Sequence, residues 1–207
     1  MKASPFNLQR LMRTLHTYSA MWVLLLLVFF SITGITLNHP NWQSQWGSSQ
    51  QLQVLSLPAA LQLAELPEEP EQQHWYAQEL RHWLLQHHGV QATEWRYQFD
   101  ADDAVLELEF KRPAGYAMVV LDFDSGELEL EQVFAGYLAL ANDLHKGRDA
   151  GGLWSWLIDI TAISCLVFAL TGFYLLLKSQ SMRAIGNTLA LLGGMAGILI
   201  YLMSLHI

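Results

Sequence analysis

The sequence predicts a membrane protein with three transmembrane α-helices and one small α+β domain outside the bilayer. Three observations support this fold class. Of the 207 residues, 52% are hydrophobic and only 14% are charged, whereas charged residues make up about a quarter of an ordinary soluble domain. Three apolar stretches are each long enough to cross a bilayer, for which about 20 residues suffice. Between the first two stretches lies a segment with the period-two pattern of β-strands.

The first membrane helix is predicted from the run Ala20 to Leu37, which consists almost entirely of Leu, Val, Phe and Ile. Residues 1–41 hold this helix and the basic lead before it. A cleaved signal peptide has the same basic start and apolar core. However, the apolar run is long, and the sequence NHPNW that follows it provides no small-x-small cleavage site. We therefore expect a membrane helix.

Charge is distributed unevenly along the chain, and this asymmetry predicts the orientation. Met1 to Leu37 contains no acidic residue. Asn38 to Gly152 contains eighteen acidic and six basic residues, a formal charge of −12. Because basic segments stay on the cytoplasmic side, we expect a cytoplasmic amino terminus and a periplasmic acidic domain. Such a domain repels nucleic acid and anionic headgroups, so no nucleic-acid partner is expected.

Residues 42–136 are predicted to form the exterior α+β domain. Gln51 to Leu57 alternates enough for a first strand, and Gln72 to Gly89 has the spacing of an amphipathic helix. An antiparallel sheet with one apolar face needs that face covered, so we expect the helix to lie on it. Four further strands are indicated by runs of period two at residues 94–99, 106–111, 117–124 and 127–131.

The rest of the chain returns to the membrane. Residues 137–152 are predicted to form an amphipathic helix followed by a joint with the motif LHKGR. Residues 153–177 and 185–207 are the second and third membrane helices, and residues 178–184 form a cytoplasmic loop between them. The single cysteine, Cys165, lies within the second membrane helix, so no intramolecular disulfide can form.

Small residues occur at points where membrane helices can approach closely. The pattern F-x-[IL]-T-G occurs at residues 30–34 and again at 168–172. Because the two helices run in opposite directions, we expect the two Thr-Gly pairs in opposite leaflets. Gly193 and Gly197 in the third helix have GxxxG spacing, which is typical either of packing against the first two helices or of an oligomer.

Several short motifs resemble the PepSY-associated transmembrane family of bacteria. They are RTLH at 13–16, ITGITLNHP at 32–40, LHKGR at 144–148, and Asp159 followed by LTGFY at 170–174. The resemblance covers the first two membrane helices and, in outline only, the exterior helix and sheet. It implies a bacterial inner-membrane protein with a PepSY-like periplasmic domain.

Larger relatives in that family have four membrane helices, and they include reductases that carry b-type haem between membrane histidines and reduce iron-siderophore complexes. This chain departs from them, because it has three membrane helices and a single small exterior domain. The resemblance therefore implies at most one haem b in this protein.

A haem between two histidines needs two imidazoles from different helices at the same depth. In the expected orientation His39, His145 and His206 lie at the outer face, and only His16 lies on the cytoplasmic side. We therefore expect one haem between His39 and His145, with His206 as a substitute ligand and Arg148 near a haem propionate. The alternative is that these histidines cap helix ends and that Arg148 anchors at the lipid headgroups.

Asp159 lies about 9 Å into the second membrane helix, counted from Leu153 at 1.5 Å per residue. An ionisable group at such a depth is costly, and it marks either function or a buried partner. We consider a hydrogen bond to Asn38 or His39, or a shallow position from which the carboxylate reaches water.

Two functions from different classes agree with these features. The first, which we favour, is electron transfer to or from a periplasmic or membrane partner through the haem. The second is a cofactor-free module whose exterior domain binds a partner protein while the helices anchor it in the lipid bilayer. The sequence has no phosphate-binding loop, no Ser/His/Asp order and no cysteine cluster for a metal, so a hydrolase or a nucleotide-dependent enzyme has no support.

Overall fold

The computed structural model describes residues 7–42, 45–63 and 67–205. The chain divides into two compact units. One unit combines Met1–Val28 with Asp159–Ile207, and the other is Phe29–Ile158. Two long helices, α1 (Leu8–Asn38) and α4 (Gly152–Lys178), contribute residues to both units.

Three helices are long and apolar enough to cross a membrane, namely α1, α4 and α5 (Arg183–Ser204). The three predicted membrane helices are thereby confirmed. α1 begins well before the apolar run that predicted it. The side chain of Asn7 accepts a hydrogen bond from the Arg10 N–H at 3.1 Å, which satisfies one of the free N–H groups at the start of the helix. The basic lead therefore continues the helix.

The exterior domain contains a five-stranded antiparallel sheet, as the period-two runs predicted. Its spatial order is β1-β5-β4-β3-β2. The first strand therefore pairs with the last, and β1 and β2 are the two edges of the sheet. The strands are β1 (Ser49–Ser56), β2 (Glu94–Asp100), β3 (Val105–Arg112), β4 (Gly115–Asp122) and β5 (Glu127–Phe134).

The helix α2 (Pro70–His88) packs on one face of this sheet, as expected. Its buried residues Tyr76, Leu80 and Leu84 form one cluster with the inward side chains of β3, β4 and β5. The Tyr76 hydroxyl donates to the Leu61 carbonyl at 2.8 Å, and burial raises the pKa of Tyr76 to about 12. The opposite face carries the glutamates of β3 and β5.

α5 has no buried residue among those described. Its Gly186 faces Leu176 of α4. A side chain added at Gly193 or Gly197 would meet no described atom within 4 Å, so the expected close packing of these glycines against the first two helices is not found. An oligomer through Gly193 and Gly197 stays a prediction.

Candidate functional site

A short helix, α3 (Tyr137–Lys146), connects the exterior sheet to the end of α1. Thr36 on α1 donates a hydrogen bond from Oγ1 to the Asn142 Oδ1 at 2.7 Å. Asp143 follows Asn142 in α3. Its carboxylate accepts a hydrogen bond at 2.9 Å from the backbone N–H of Ala114, which lies in the turn between β3 and β4. The same few residues of α3 therefore hold both the membrane helix and the sheet.

The segment between α3 and α4 is also fixed by hydrogen bonds. Trp154 on α4 donates from Nε1 to the Leu144 carbonyl at 2.7 Å. Thr93, just before β2, donates from Oγ1 to the Asp149 carbonyl at 2.6 Å. Asp149 has a φ of 50°, which is uncommon for a residue with a side chain. This joint is therefore held in one conformation between the sheet and α4.

His145 lies at the centre of the connection between α3 and α1. Its Nδ1 is 2.6 Å from Thr33 Oγ1. The Thr33 hydroxyl also donates to the Phe29 carbonyl at 2.7 Å, so Thr33 links the imidazole to the backbone of α1. The ring meets Phe30 edge-on with 5.2 Å between ring centroids. A Cβ at Gly34 would lie 3.6 Å from the imidazole. We call His145, Phe30, Thr33 and Gly34 the His145 site.

His16 makes the corresponding contacts in the other unit. Its Nδ1 donates to the Phe168 carbonyl at 3.1 Å and lies 3.3 Å from Thr171 Oγ1. The imidazole stacks on the Phe168 ring with centroids 4.5 Å apart. A Cβ at Gly172 would lie only 2.9 Å from the ring. We call His16, Phe168, Thr171 and Gly172 the His16 site.

The other residues singled out from the sequence lie apart from these two sites. His39 is exposed and stacks on Trp42, with 4.3 Å between ring centroids. Arg148 lies 3.8 Å from the Asp143 carboxylate. Asp159 is exposed on α4, and the hydrogen bond considered for it stays a prediction. His206 lies outside the described residues.

A cavity of about 630 Å³ lies where the end of α1 meets α3 and the ends of β1 and β5. His39, Asn142 and Lys146 line it, whereas His145 is not among the lining residues. His145 meets α1 at Thr33, six residues before His39, which corresponds to about 9 Å along a helix. The two imidazoles have separate partners, and His145 does not line the cavity that His39 lines.

No group of three or more His, Cys, Asp or Glu side chains that could hold a metal ion occurs among the residues that the structure describes. The haem b and its ligands nevertheless stay predictions, because His206 is not described and a second ligand from elsewhere is not tested.

The repeated F-x-[IL]-T-G pattern is visible in the sequence, whereas the histidine that each copy contacts is seen only in the structure. A signal was available, since the pattern occurs twice and His16 and His145 were both singled out. The bond between Thr36 and Asn142 was not predictable, because Asn142 belongs to no recognised motif and 106 positions separate the two residues.

The fold and these contacts define a membrane protein with three helices long and apolar enough to span a bilayer and an α+β domain that α3 joins to the end of α1. Residues 8–206 match the model of the PepSY_TM-like family. The chain therefore belongs to this family, and the resemblance found from the short motifs is confirmed. No curated protein and no solved structure matches the chain.

Proposed function

We propose that this protein is a binding module of the bacterial inner membrane, and that the free edge of β1 pairs with an extended segment of a partner protein. The amino terminus is cytoplasmic and the sheet domain is periplasmic in this proposal. The charge asymmetry supports that orientation, because the acid-free first segment carries Lys2, Arg10 and Arg13 and such segments stay in the cytoplasm.

The observation that carries the proposal is the chemistry of the β1 edge. Among the described residues, β1 pairs with β5 on one side and with no strand on the other. Its eight residues, SQQLQVLS, include no charge and no proline. Leu52 and Val54 are 68% and 62% exposed. Proteins usually protect a free edge with charges, proline or a covering element, and an unprotected edge is where an added strand binds.

The other edge of the same sheet is a useful contrast. β2 carries Glu94, Arg96 and Asp100, and its aromatic residues pack against the core that α2 covers. Charges at that edge disfavour an added strand. The difference between the two edges indicates that the lack of protection at β1 is specific to that strand.

The charge of the exterior segment favours a basic partner. The formal charge from Asn38 to Gly152 is −12, and Glu129 and Glu131 lie on the strand beside Val54 and Leu52. Complementary charge speeds encounter and selects among partners. The partner segment is therefore expected to alternate apolar and basic side chains.

The connection through α3 gives the module a way to respond to binding. β1 begins and β5 ends at the cavity that α3 and the end of α1 also line. A strand added to β1 extends a sheet whose turn at Ala114 is bonded to Asp143. Binding at the edge can thus change the packing of α3 against α1.

Photo-crosslinking in intact cells tests the proposal. A photoreactive amino acid at Val54 should give one discrete protein adduct, and one at Gln98 on β2 should not. Leu52→Lys should abolish the Val54 adduct, because it places a charge on the free edge, whereas the matched variant Gln98→Lys should leave it. Adducts that persist in Leu52→Lys, or that form equally at Gln98, would contradict pairing at β1.

Electron transfer through one haem b is the competing function, supported by the family resemblance. A visible spectrum of protein purified from haem-replete cells separates the two. A binding module without cofactor gives no low-spin Soret band. A Soret band that His39→Ala and His145→Ala each abolish, and that His16→Ala leaves intact, would support a haem b held by His39 and His145 and would contradict a module without cofactor.

A further inference from the structure

Asp159 is an exposed acidic side chain within a helix that is long and apolar enough to span the membrane. Trp154 and Trp156 precede it, and tryptophans concentrate where headgroups meet hydrocarbon. Asp159 lies five residues beyond Trp154, about 7 Å further along α4. Within its own unit, no described residue forms an ion pair with it. A carboxylate at this depth is costly unless a partner meets it.

An exposed stripe runs along α4 from Asp159 towards the end of the helix. The stripe continues at alternating spacings of four and three residues, and this is the heptad pattern by which two helices pack along their length. Lipid tails can cover its apolar part, but they cannot hydrogen-bond the carboxylate. The remaining members of the stripe, each of them exposed, are Ile163, Leu166, Leu170, Phe173 and Leu177.

We propose that this stripe docks a membrane helix of another protein, and that the partner helix carries a lysine or arginine that pairs with Asp159. The negative charge of Asp159 favours a partner helix with a basic residue over a second copy of this chain. Two copies have the same orientation in the membrane, so a symmetric contact through the stripe places Asp159 against Asp159, and like charges repel. Lys178 is the next charged residue on α4, about 28 Å further along the helix, and is too distant to serve in a parallel pair.

The full-length protein in phosphatidylcholine vesicles provides the test. Two synthetic membrane-spanning peptides of about 20 residues are compared, identical except for Lys or Leu at the depth of Asp159. Energy transfer is measured from a donor on Ser181→Cys, in a Cys165→Ala background, to an acceptor on the peptide. We expect the Lys peptide to bind about tenfold more tightly than the Leu peptide, and Asp159→Asn to remove most of that difference.

Two further variants separate docking at the stripe from general changes in the helix. Leu166→Trp should weaken binding of both peptides, because it adds bulk in the middle of the stripe. Ile160→Trp is the matched control, since Ile160 is also exposed but lies about 100° around the helix from Asp159; it should leave binding unchanged. Circular dichroism of each variant checks that the helices are intact.

Equal binding of the Lys and Leu peptides, or a preference for Lys that survives Asp159→Asn, would overturn the proposal. Energy transfer between donor-labelled and acceptor-labelled copies of the protein that Asp159→Asn abolishes would overturn it as well, because that result assigns the stripe to a second copy. The α4 stripe and the β1 edge share no residue, so a negative result for one proposal does not contradict the other.

Discussion

The His16 site and the His145 site are built from the same four residue types but are packed differently. In each, a histidine lies against the phenylalanine, threonine and glycine of an F-x-[IL]-T-G pattern on another helix. The His16 ring stacks flat on Phe168, with 14° between the planes. The His145 ring stands edge-on to Phe30, at 76°. The same short pattern thus accepts an imidazole in two orientations.

The difference follows from where each histidine lies in the chain. His16 is part of a membrane-spanning helix, so a close approach of α1 and α4 presses its ring against the backbone at Gly172. His145 is near the end of the short helix α3, and its contact with Gly34 leaves ordinary van der Waals space. One site serves close helix packing, and the other attaches the exterior domain to α1.

The largest difference between the two sites is expected when one methyl group is added at the glycine of each site, Gly172 or Gly34. Gly172→Ala should lower the free energy of unfolding by about 1–3 kcal/mol, because the His16 ring is held by Phe168 and cannot move away without losing its hydrogen bond. Gly34→Ala should be neutral or stabilising by up to about 1 kcal/mol. Thermal unfolding in detergent measures both.

The double variant His16→Ala with Gly172→Ala serves as the control. Removal of the imidazole creates the space that the new methyl group needs, so the two losses should not add. Equal destabilisation by Gly172→Ala and Gly34→Ala would show that the two sites are packed alike, which would contradict tighter packing at Gly172.

A second effect concerns which part of the molecule each histidine stabilises. His145→Ala should raise the rate of trypsin cleavage at Lys146 and Arg148 about tenfold, because loss of both the hydrogen bond to Thr33 and the ring contact with Phe30, together about 1.4 kcal/mol, makes local opening tenfold more frequent. His16→Ala should leave that rate unchanged. Time courses of proteolysis on the full chain measure it, and equal acceleration by both variants would remove the distinction.

The smallest effect is expected from the threonines. Thr33→Val and Thr171→Val each keep the shape of the side chain and remove the hydroxyl, and a hydrogen bond between membrane helices contributes about 0.6 kcal/mol on average. Thr33→Val should cost more, since the His145 bond is 2.6 Å long and the bond from His16 to Thr171 is 3.3 Å. Unfolding in a denaturing detergent ranks the two, and a larger loss in Thr171→Val would contradict the prediction.

The predictable part of the fold is the part that local pattern determines. The alternation in β3 predicted the buried side of Leu106, Leu108 and Phe110 correctly, because successive strand residues point to opposite faces. The start of α1 was not predictable from hydropathy, since a capped polar lead and an apolar run can form one helix.

The candidate site was only partly predictable, because its bonds join distant parts of the chain. His145 and Thr33 are separated by 112 positions, and no local pattern in the sequence indicates that these two residues are in contact. Orientation and depth placed His39 beside His145 in the sequence analysis. In the structure the His39 ring stacks on Trp42, a contact between neighbouring residues that the sequence analysis did not consider, and the haem between the two histidines stays a prediction.

The strand order also determines the sequence of events during synthesis. β1 follows α1 directly, but Ser49 pairs with Phe134, so β1 has no partner until β5 has left the ribosome. β2 to β5 can form earlier as a meander, since each pairs with its neighbour in the chain, and local pairings form fastest. The last strand to join the sheet is therefore the one tied to the first membrane helix. We expect the exterior domain to finish folding only when the end of α1 is brought to α3, so that the last step in folding of the domain is also the step that attaches it to its membrane helix.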